Sequence, residues 1–299
     1  MPTVFCILNP KSGPCAGPTP EELQQLFWVH GVRAEVVNLE PSTDIDVEVK
    51  KAMSKGVTTI VAIGGDGTVS AVAAAVFRQK AGCLGILPLG TLNHFAKDLN
   101  IPLIAADAAT VICHGRKDAV DVAMVNHVAF LNNSSLGLYP VMVKLREKLQ
   151  RHGRGKWWAA ATAAMRAIKR FRRLHVEIKL TDGNTIRRRT SLLFVGNNSY
   201  ITSGAKIGSR PSLKAGTLSV TVATSQSRWG LIRSFVAMMT GKDNLADVIQ
   251  FEATSLTVTS KKKLLGVAAD GEVRKLAPPL QYEICPRALA VIVPPDRRP

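Results

Sequence analysis

The stretch Gly64-Gly65-Asp66-Gly67-Thr68 constrains this chain more than any other. Ahead of it, the β-branched run Val57–Ile63 reads as a buried strand. Behind it, the Ala-rich run Val69–Phe77, closing on Arg78, Gln79 and Lys80, reads as a helix. A strand, a glycine turn and a helix together present backbone N–H groups to a phosphate. The glycines allow close approach, and the helix start adds a favourable dipole. Thr68 is predicted to cap that helix. Asp66 places a carboxylate where an anion would bind, and the two repel unless a cation separates them, so the pair suggests a magnesium nucleotide. The alternative is a tight turn in which Asp66 makes only a local side-chain bond.

The segments around this turn repeat its design. Thr3–Leu8 is a short apolar strand running into Asn9-Pro10-Lys11-Ser12-Gly13, where Lys11 and Ser12 can reach phosphate oxygens and Asn9 can fix the loop. A helix is expected over Glu21–Val29, a strand over Ala34–Leu39 and a helix over Asp46–Lys55. Gly82–Pro88 is a further apolar strand, leading into Leu89-Gly90-Thr91-Leu92-Asn93-His94-Phe95-Ala96. Four strands alternating with helices predict a parallel α/β sheet whose loops at the strand C-ends form a ligand cleft. Three such loops (Asn9–Gly13, Gly64–Thr68 and Gly90–Asn93) carry glycine and small polar residues and are expected to converge.

From about Asp118 the rhythm changes to short strands. Val120–Val125 pairs with His127–Asn132, Val176–Leu180 forms a hairpin with Thr185–Val195 across Thr181–Asn184, and Thr217–Ala223, Ser255–Thr259, Val267–Leu276 and Gln281–Cys285 follow. This half is predicted to be a sandwich or barrel. A chain of 299 residues is long enough for one large or two ordinary domains. Five scattered cysteines, Cys6, Cys15, Cys83, Cys113 and Cys285, lack metal spacing and read as reduced thiols of a cytosolic protein. With no apolar run of about 18 residues and a direct entry on a strand, membrane contact is expected to be peripheral.

The net charge of +17 favours anionic partners. Lys144–Arg173 holds eleven Lys or Arg against one acid, Glu147. There Trp158, Ala161, Met165 and Ile168 share a helical face, and Trp157-Trp158 with the basic residues suits an anionic membrane interface. A core-packing helix with a solvated basic face fits the pattern equally well. Arg187–Arg189 and Lys261–Lys263 add to the basic surface. Nucleic acid is not expected as a partner, since the sequence has no helix-turn-helix, zinc-ligand or RNA-recognition signature.

Taken in order, Asn9-Pro10-Lys11-Ser12-Gly13, Gly64–Thr68, Pro88–Ala96 and Asp270-Gly271-Glu272 closely resemble the motifs of the diacylglycerol kinase catalytic family, which includes soluble bacterial lipid kinases and the sphingosine and ceramide kinases. The resemblance implies two domains. An NAD-kinase-like α/β nucleotide-binding domain would cover 1–118, and an antiparallel β-sandwich domain for the lipid substrate would cover 119–299, with a last strand able to return to the first. It implies transfer of the ATP γ-phosphoryl group to a hydroxyl of a diacylglycerol-like lipid by a cytoplasmic enzyme peripheral to the membrane, and it leaves a homodimer open. The loop Gly64, Gly65, Asp66, Gly67, Thr68 and Ser70 would cradle the phosphates, flanked by Asn9 and Thr91 and supported by Gly90 and Asn93. Asp66 would hold ATP-bound magnesium or orient the acceptor, and Glu272 would be the general base, with the reverse assignment of the two catalytic carboxylates as the alternative.

The sequence departs from the family at one point. Soluble bacterial members carry an Asp-Gly pair whose Asp helps bind a structural magnesium; here Ala215-Gly216 stands in its place, beside Lys214. Alanine offers no ligand, so any metal is expected to arrive with ATP. Two other readings share these residues: an NAD-kinase-like phosphotransferase with a soluble acceptor, and an inactive lipid-binding relative. Retention of Asp66, Thr91, Asn93 and Glu272 argues against the second.

Overall fold

Three of the apolar runs read from the sequence lie side by side in the computed structural model, which describes residues 1–12, 17–80, 82–137, 173–201, 209–224 and 248–295. Gly13, Cys15 and the basic run 144–172, and with it the Trp157-Trp158 pair, fall outside the described residues. The chain divides into two units, 1–122 with 286–299, and 123–285.

The first unit alternates strand and helix: β1 (Thr3–Leu8), α1 (Pro20–Trp28), β2 (Arg33–Asn38), α2 (Ile45–Ser54), β3 (Thr59–Gly64), α3 (Asp66–Gln79), β4 (Cys83–Pro88), α4 (His94–Asp98) and α5 (Ala105–His114). The strands pair in parallel in the order β2-β1-β3-β4. β1, β3 and β4 are buried along almost their whole length. This explains their unbroken apolar sequences, since a central parallel strand has no solvent face. The helices close over the sheet through Leu23 and Phe27, Val49 and Ala52, Val72 and Val76, and Ala108 and Ile112. α1 starts on a capping box: Thr19 Oγ1 accepts from Glu22 N at 3.2 Å, and Glu22 Oε2 accepts from Thr19 N at 2.9 Å. The parallel α/β reading of this half holds, with element ends shifted by a few residues. α4 and α5 were not foreseen.

β5 (Arg116–Val125) carries the chain from the first unit into the second. There follow β6 (Val128–Phe130), β7 (Asn133–Gly137), β8 (Leu174–Leu180), β9 (Thr185–Thr190), β10 (Leu192–Asn197), β11 (Leu218–Ala223), β12 (Val248–Ala253), β13 (Ser255–Thr259), β14 (Leu265–Ala269), β15 (Glu272–Leu276) and β16 (Leu280–Val293), whose end returns to the first unit. One antiparallel sheet runs β12-β11-β10-β7-β14-β15. Opposite it, the first half of β16, β13, β8 and β9 pair antiparallel. Alternate residues from both layers fill the core, among them Leu136, Leu193, Val195, Val220 and Val267 from one and Val176, Ile178, Leu256, Val258 and Tyr282 from the other. The β-sandwich expectation is met.

Two runs read as single strands are each two. Thr185–Val195 breaks at Ser191, and its halves join different sheets. Thr190 Oγ1 holds this corner: it accepts from Leu192 N at 3.1 Å and lies 2.8 Å from the carbonyls of Leu192 and Ala223. Val267–Leu276 folds back at Asp270-Gly271. Both residues have positive φ, 45° and 87°, the requirement of a tight hairpin turn that Asp-Gly meets at low cost.

Burial also sets the chemistry of the thiols. Cys6 and Cys83 lie at or near zero exposure, and burial pushes the Cys83 thiol up to about 11 and that of Cys6 higher still. The neutral thiol is thus the folded form. Its stabilising effect is present below the ordinary value of 9.0 and is lost as pH rises from there through about 11. At pH 8 in iodoacetamide, the folded chain should leave Cys6 and Cys83 unmodified, and guanidinium should expose both. Peptide mass spectrometry of Cys83 alkylated without denaturant would contradict this.

Candidate active site

The glycine turn stands where the sequence places it, between β3 and α3. Gly65 is the N-cap residue of α3 and has no side chain with which to close the first turn. The N–H groups of that turn are therefore left without a side-chain cap. Thr68 is not the cap, contrary to the sequence reading. It is the third helical residue and is buried, and its Oγ1 accepts from Asn9 Nδ2 at 3.0 Å. Asn9 thus binds the β1 loop to α3. Its Oδ1 also accepts from Lys11 N at 3.1 Å, and its own N–H donates to Ile63 O at 2.9 Å. Ser12 Oγ accepts from Gly65 N at 3.3 Å, which leaves Lys11 exposed beside it. Ser70, one turn further along α3, has a buried hydroxyl without a protein partner.

The third loop is fastened to the second by Asp66. Its Oδ2 accepts from Asn93 N at 2.9 Å and its Oδ1 from His94 N at 2.7 Å, the first N–H groups at the start of α4. Asn93 adopts the left-handed region with φ 50°, and its side chain bridges Gly90, accepting from the N–H at 3.0 Å and donating to the carbonyl at 2.7 Å. Gly90 thereby comes against Gly65: a Cβ added at Gly90 would stand 2.6 Å from Gly65 Cα. Gly67, by contrast, is exposed, and a Cβ there would meet no protein atom within 4 Å. Thr91 is exposed on the same loop. Asn9, Ser12, Gly64–Thr68, Gly90 and Asn93 are thus one connected structure, and it is the kind that receives an anionic group on backbone N–H donors.

Asp270 and Glu272 belong to the second unit. Asp270 is fully engaged: Oδ2 accepts from Leu131 N at 2.7 Å, and Oδ1 from Asn132 N at 2.8 Å and Asn133 N at 3.1 Å. Glu272 follows the turn at the start of β15. It is more than half exposed and meets Arg274 Nη2 at 3.1 Å. Sequence reasoning missed the residues that surround Asp270. Arg210, 6% exposed, donates from Nη1 to the carbonyls of Leu131 and of Asn197 (3.2 Å) and from Nη2 to Asn132 Oδ1 at 2.9 Å. Its guanidinium also lies 5.7 Å from the Tyr200 ring centroid. Asn197 Nδ2 reaches Leu131 O at 2.9 Å, and Tyr200 OH reaches Asn132 O at 2.9 Å. A signal was present: Asn132-Asn133-Ser134 and Asn197-Asn198-Ser199 are matching polar runs in otherwise apolar surroundings.

Residues 3–125 match the family model of the diacylglycerol kinase catalytic domain, and residues 148–293 that of the YegS C-terminal NAD kinase β-sandwich-like domain. A probable lipid kinase YegS-like protein of Yersinia pestis (strain Pestoides F) is 36% identical over 140 residues, covering 46% of this chain and 47% of that protein. The probable lipid kinase YegS-like protein of Yersinia pseudotuberculosis serotype O:1b (strain IP 31758) matches to the same extent. The match thus spans about half the length of these curated relatives. Among solved structures, a putative diacylglycerol kinase from Bacillus anthracis str. Sterne is 26% identical with a TM-score of 0.74, covering 97% of each chain. A diacylglycerol kinase from the same organism has a TM-score of 0.68 at 21% identity, covering 97% of this chain and 96% of its own, which is a likeness of fold.

Gly67 and Gly90 should respond differently to a methyl group. Gly67→Ala should leave the unfolding free energy at or above that of the parent, by up to about 1 kcal/mol, while weakening ATP binding. Gly90→Ala should lower stability by about 1–3 kcal/mol through overpacking against Gly65. Calorimetric titration of ATP beside thermal unfolding would separate the two effects; unaltered ATP affinity in Gly67→Ala would remove that loop from the nucleotide.

Proposed function

We propose that this chain, whose residues 3–125 match the diacylglycerol kinase catalytic domain and whose residues 148–293 match the YegS-type β-sandwich-like domain, transfers the γ-phosphoryl group of ATP to a hydroxyl of a diacylglycerol-like lipid. One observation carries the reading most directly. Gly65, Gly67 and Gly90 bring an uncapped helix start and an open backbone surface together, which suits the phosphates of a nucleotide. Asn9 and Asn93 hold that surface rigid, and Lys11 and Thr91 stand exposed at its edges.

Asp66 fits the magnesium that accompanies ATP. Each carboxylate oxygen takes one backbone N–H and retains a second lone pair, a hard oxygen donor of the kind magnesium selects. When bound, magnesium would neutralise charge on the phosphates. The reaction forms a bond between the lipid hydroxyl oxygen and the γ-phosphorus and breaks the bond from that phosphorus to the bridging oxygen, releasing ADP. Glu272, exposed and carboxylate-bearing, would take the hydroxyl proton. Asp270 is an unsuitable base, because its carboxylate already accepts three backbone N–H groups.

The acceptor class rests on the family and on charge. A net charge of +17, with Lys144–Arg173 its densest segment, favours an anionic membrane surface as the place where the lipid is met. Of that segment Arg173 alone is described. No helix among the described residues is long and apolar enough to cross a membrane.

The test is transfer of labelled γ-phosphate from magnesium ATP into a total lipid extract. One labelled lipid is expected with the parent chain, none with Asp66→Asn, and a loss of roughly a hundredfold or more in kcat with Glu272→Gln. A water-soluble labelled product in place of a lipid would overturn the acceptor. Full turnover in Glu272→Gln would move the base elsewhere.

A further inference from the structure

The magnesium that resemblance implies for the loop 212–217 does not fit the residues present. Ala215 has no donor side chain, its neighbour Lys214 is cationic, and no group of three or more His, Cys, Asp or Glu converges among the described residues. Two residues before that loop stands a cation of the protein's own. Arg210 is 6% exposed, and burying a guanidinium is unfavourable unless its donors are satisfied. They are satisfied by one short segment above all: the carbonyl of Leu131 and the side chain of Asn132 accept from Arg210, with the carbonyl of Asn197 beside them. The amides of Leu131, Asn132 and Asn133 point the other way, into the Asp270 carboxylate. A guanidinium thus draws on the carbonyl and side-chain oxygens of the segment while a carboxylate draws on its amides. Two residues after Asp270, across a positive-φ turn, stands Glu272.

We propose that Arg210 is a positioning residue, a permanent internal cation that fixes segment 131–133 around Asp270 and so presents Glu272, in place of a divalent cation at the 212–217 loop. The role given to Glu272 rests on the kinase reading; the clamp itself does not. Fixed charge has a consequence that a metal would not share. The order of this region is independent of free magnesium, and only nucleotide binding and transfer require the ion.

Hydrogen exchange by mass spectrometry on the full chain, without nucleotide, tests the clamp at matched ionic strength in excess EDTA or excess magnesium chloride. Peptides covering 128–137 and 209–218 should exchange identically in both. Arg210→Met should exchange roughly tenfold faster or more over 128–137, with no rescue by magnesium. Arg210→Lys, which keeps the charge and loses the fork, should fall between Met and the parent. Magnesium-dependent protection of 209–218 in the parent chain would overturn the proposal. So would equal exchange in the Lys and Met variants, which would make the effect one of volume. If neither variant folds, the comparison of EDTA with magnesium in the parent chain decides alone. Where a lipid product is found, Arg210→Met should lower kcat with the KM for ATP unchanged. Where none is found, the exchange results stand while the kinase reading falls.

Discussion

The carboxylate of Asp66 sits in the first turn of α3 and accepts the N–H groups of Asn93 and His94 at 2.9 and 2.7 Å. Helix starts carry partial positive charge, so the beginnings of α3 and α4 would not by themselves settle side by side. A negative side chain shared by both removes that obstacle, and its bonds are charge-assisted. The rest of the surface formed by the three loops follows from this tie. With its N–H taken by Asp66, Asn93 accepts the left-handed conformation and turns its amide onto both backbone groups of Gly90. Gly90 is thereby pressed against Gly65, a contact in which a Cβ at position 90 would stand 2.6 Å from Gly65 Cα. Asn9, reaching Thr68 from β1, fixes the remaining side.

That arrangement also explains which parts of the first unit were legible. Strands covered on both faces must be apolar at every position, so β1, β3 and β4 announced a parallel sheet, and glycine at their ends announced the loops. The convergence of three loops followed from strand direction alone. What failed was detail at single residues. Thr68 has the composition of a cap, but the cap position falls on Gly65, and the threonine hydroxyl turns instead to Asn9. Capping propensity says which residues serve and not where the helix begins, and a helix that starts inside a glycine run gives no mark of its first residue. α4 is five residues long, too short to show a period.

Most strands of the second unit were legible, though β7 and β12 were not, and its topology was less so. A sandwich strand that changes sheets keeps its alternation through the corner, so Thr185–Val195 read as continuous although it bends at Ser191. The hydroxyl of Thr190 bridges the corner, and one of its partners, the carbonyl of Ala223, lies 33 residues away. The same distance in sequence hid the surroundings of Asp270. Leu131 and Asn132 from the β6–β7 connection meet Asn197 at the end of β10 and Tyr200 and Arg210 from the β10–β11 connection, partners more than 60 residues apart in sequence. Arg210 in particular counts toward a net charge of +17 that reads as surface, whereas among the described residues it and Asp121 are the buried charged side chains.

The two units share a device. Each carries an Asp-Gly pair, Asp66-Gly67 and Asp270-Gly271, whose aspartate binds backbone N–H groups of a segment distant in sequence. In both, the glycine leaves room or turning freedom immediately after. An aspartate used in this way is chosen for length. Its carboxylate lies close enough to the main chain to bind a passing loop without crossing open space, whereas a glutamate would add a rotatable bond to be fixed. The residue type that anchors is thus not the type best suited to meet an outside ligand, and the chain separates the two. Asp270 is consumed by three amides, while Glu272, two positions on and longer, stands exposed. Asp66 stands between these limits. It holds one N–H on each oxygen, so it is rigid enough to anchor two loops and still retains a second lone pair on each oxygen. A motif that looks like a single binding signature in the sequence is therefore, in its chemistry, first a joint between backbone segments, and its capacity to hold a ligand is what the joint leaves over.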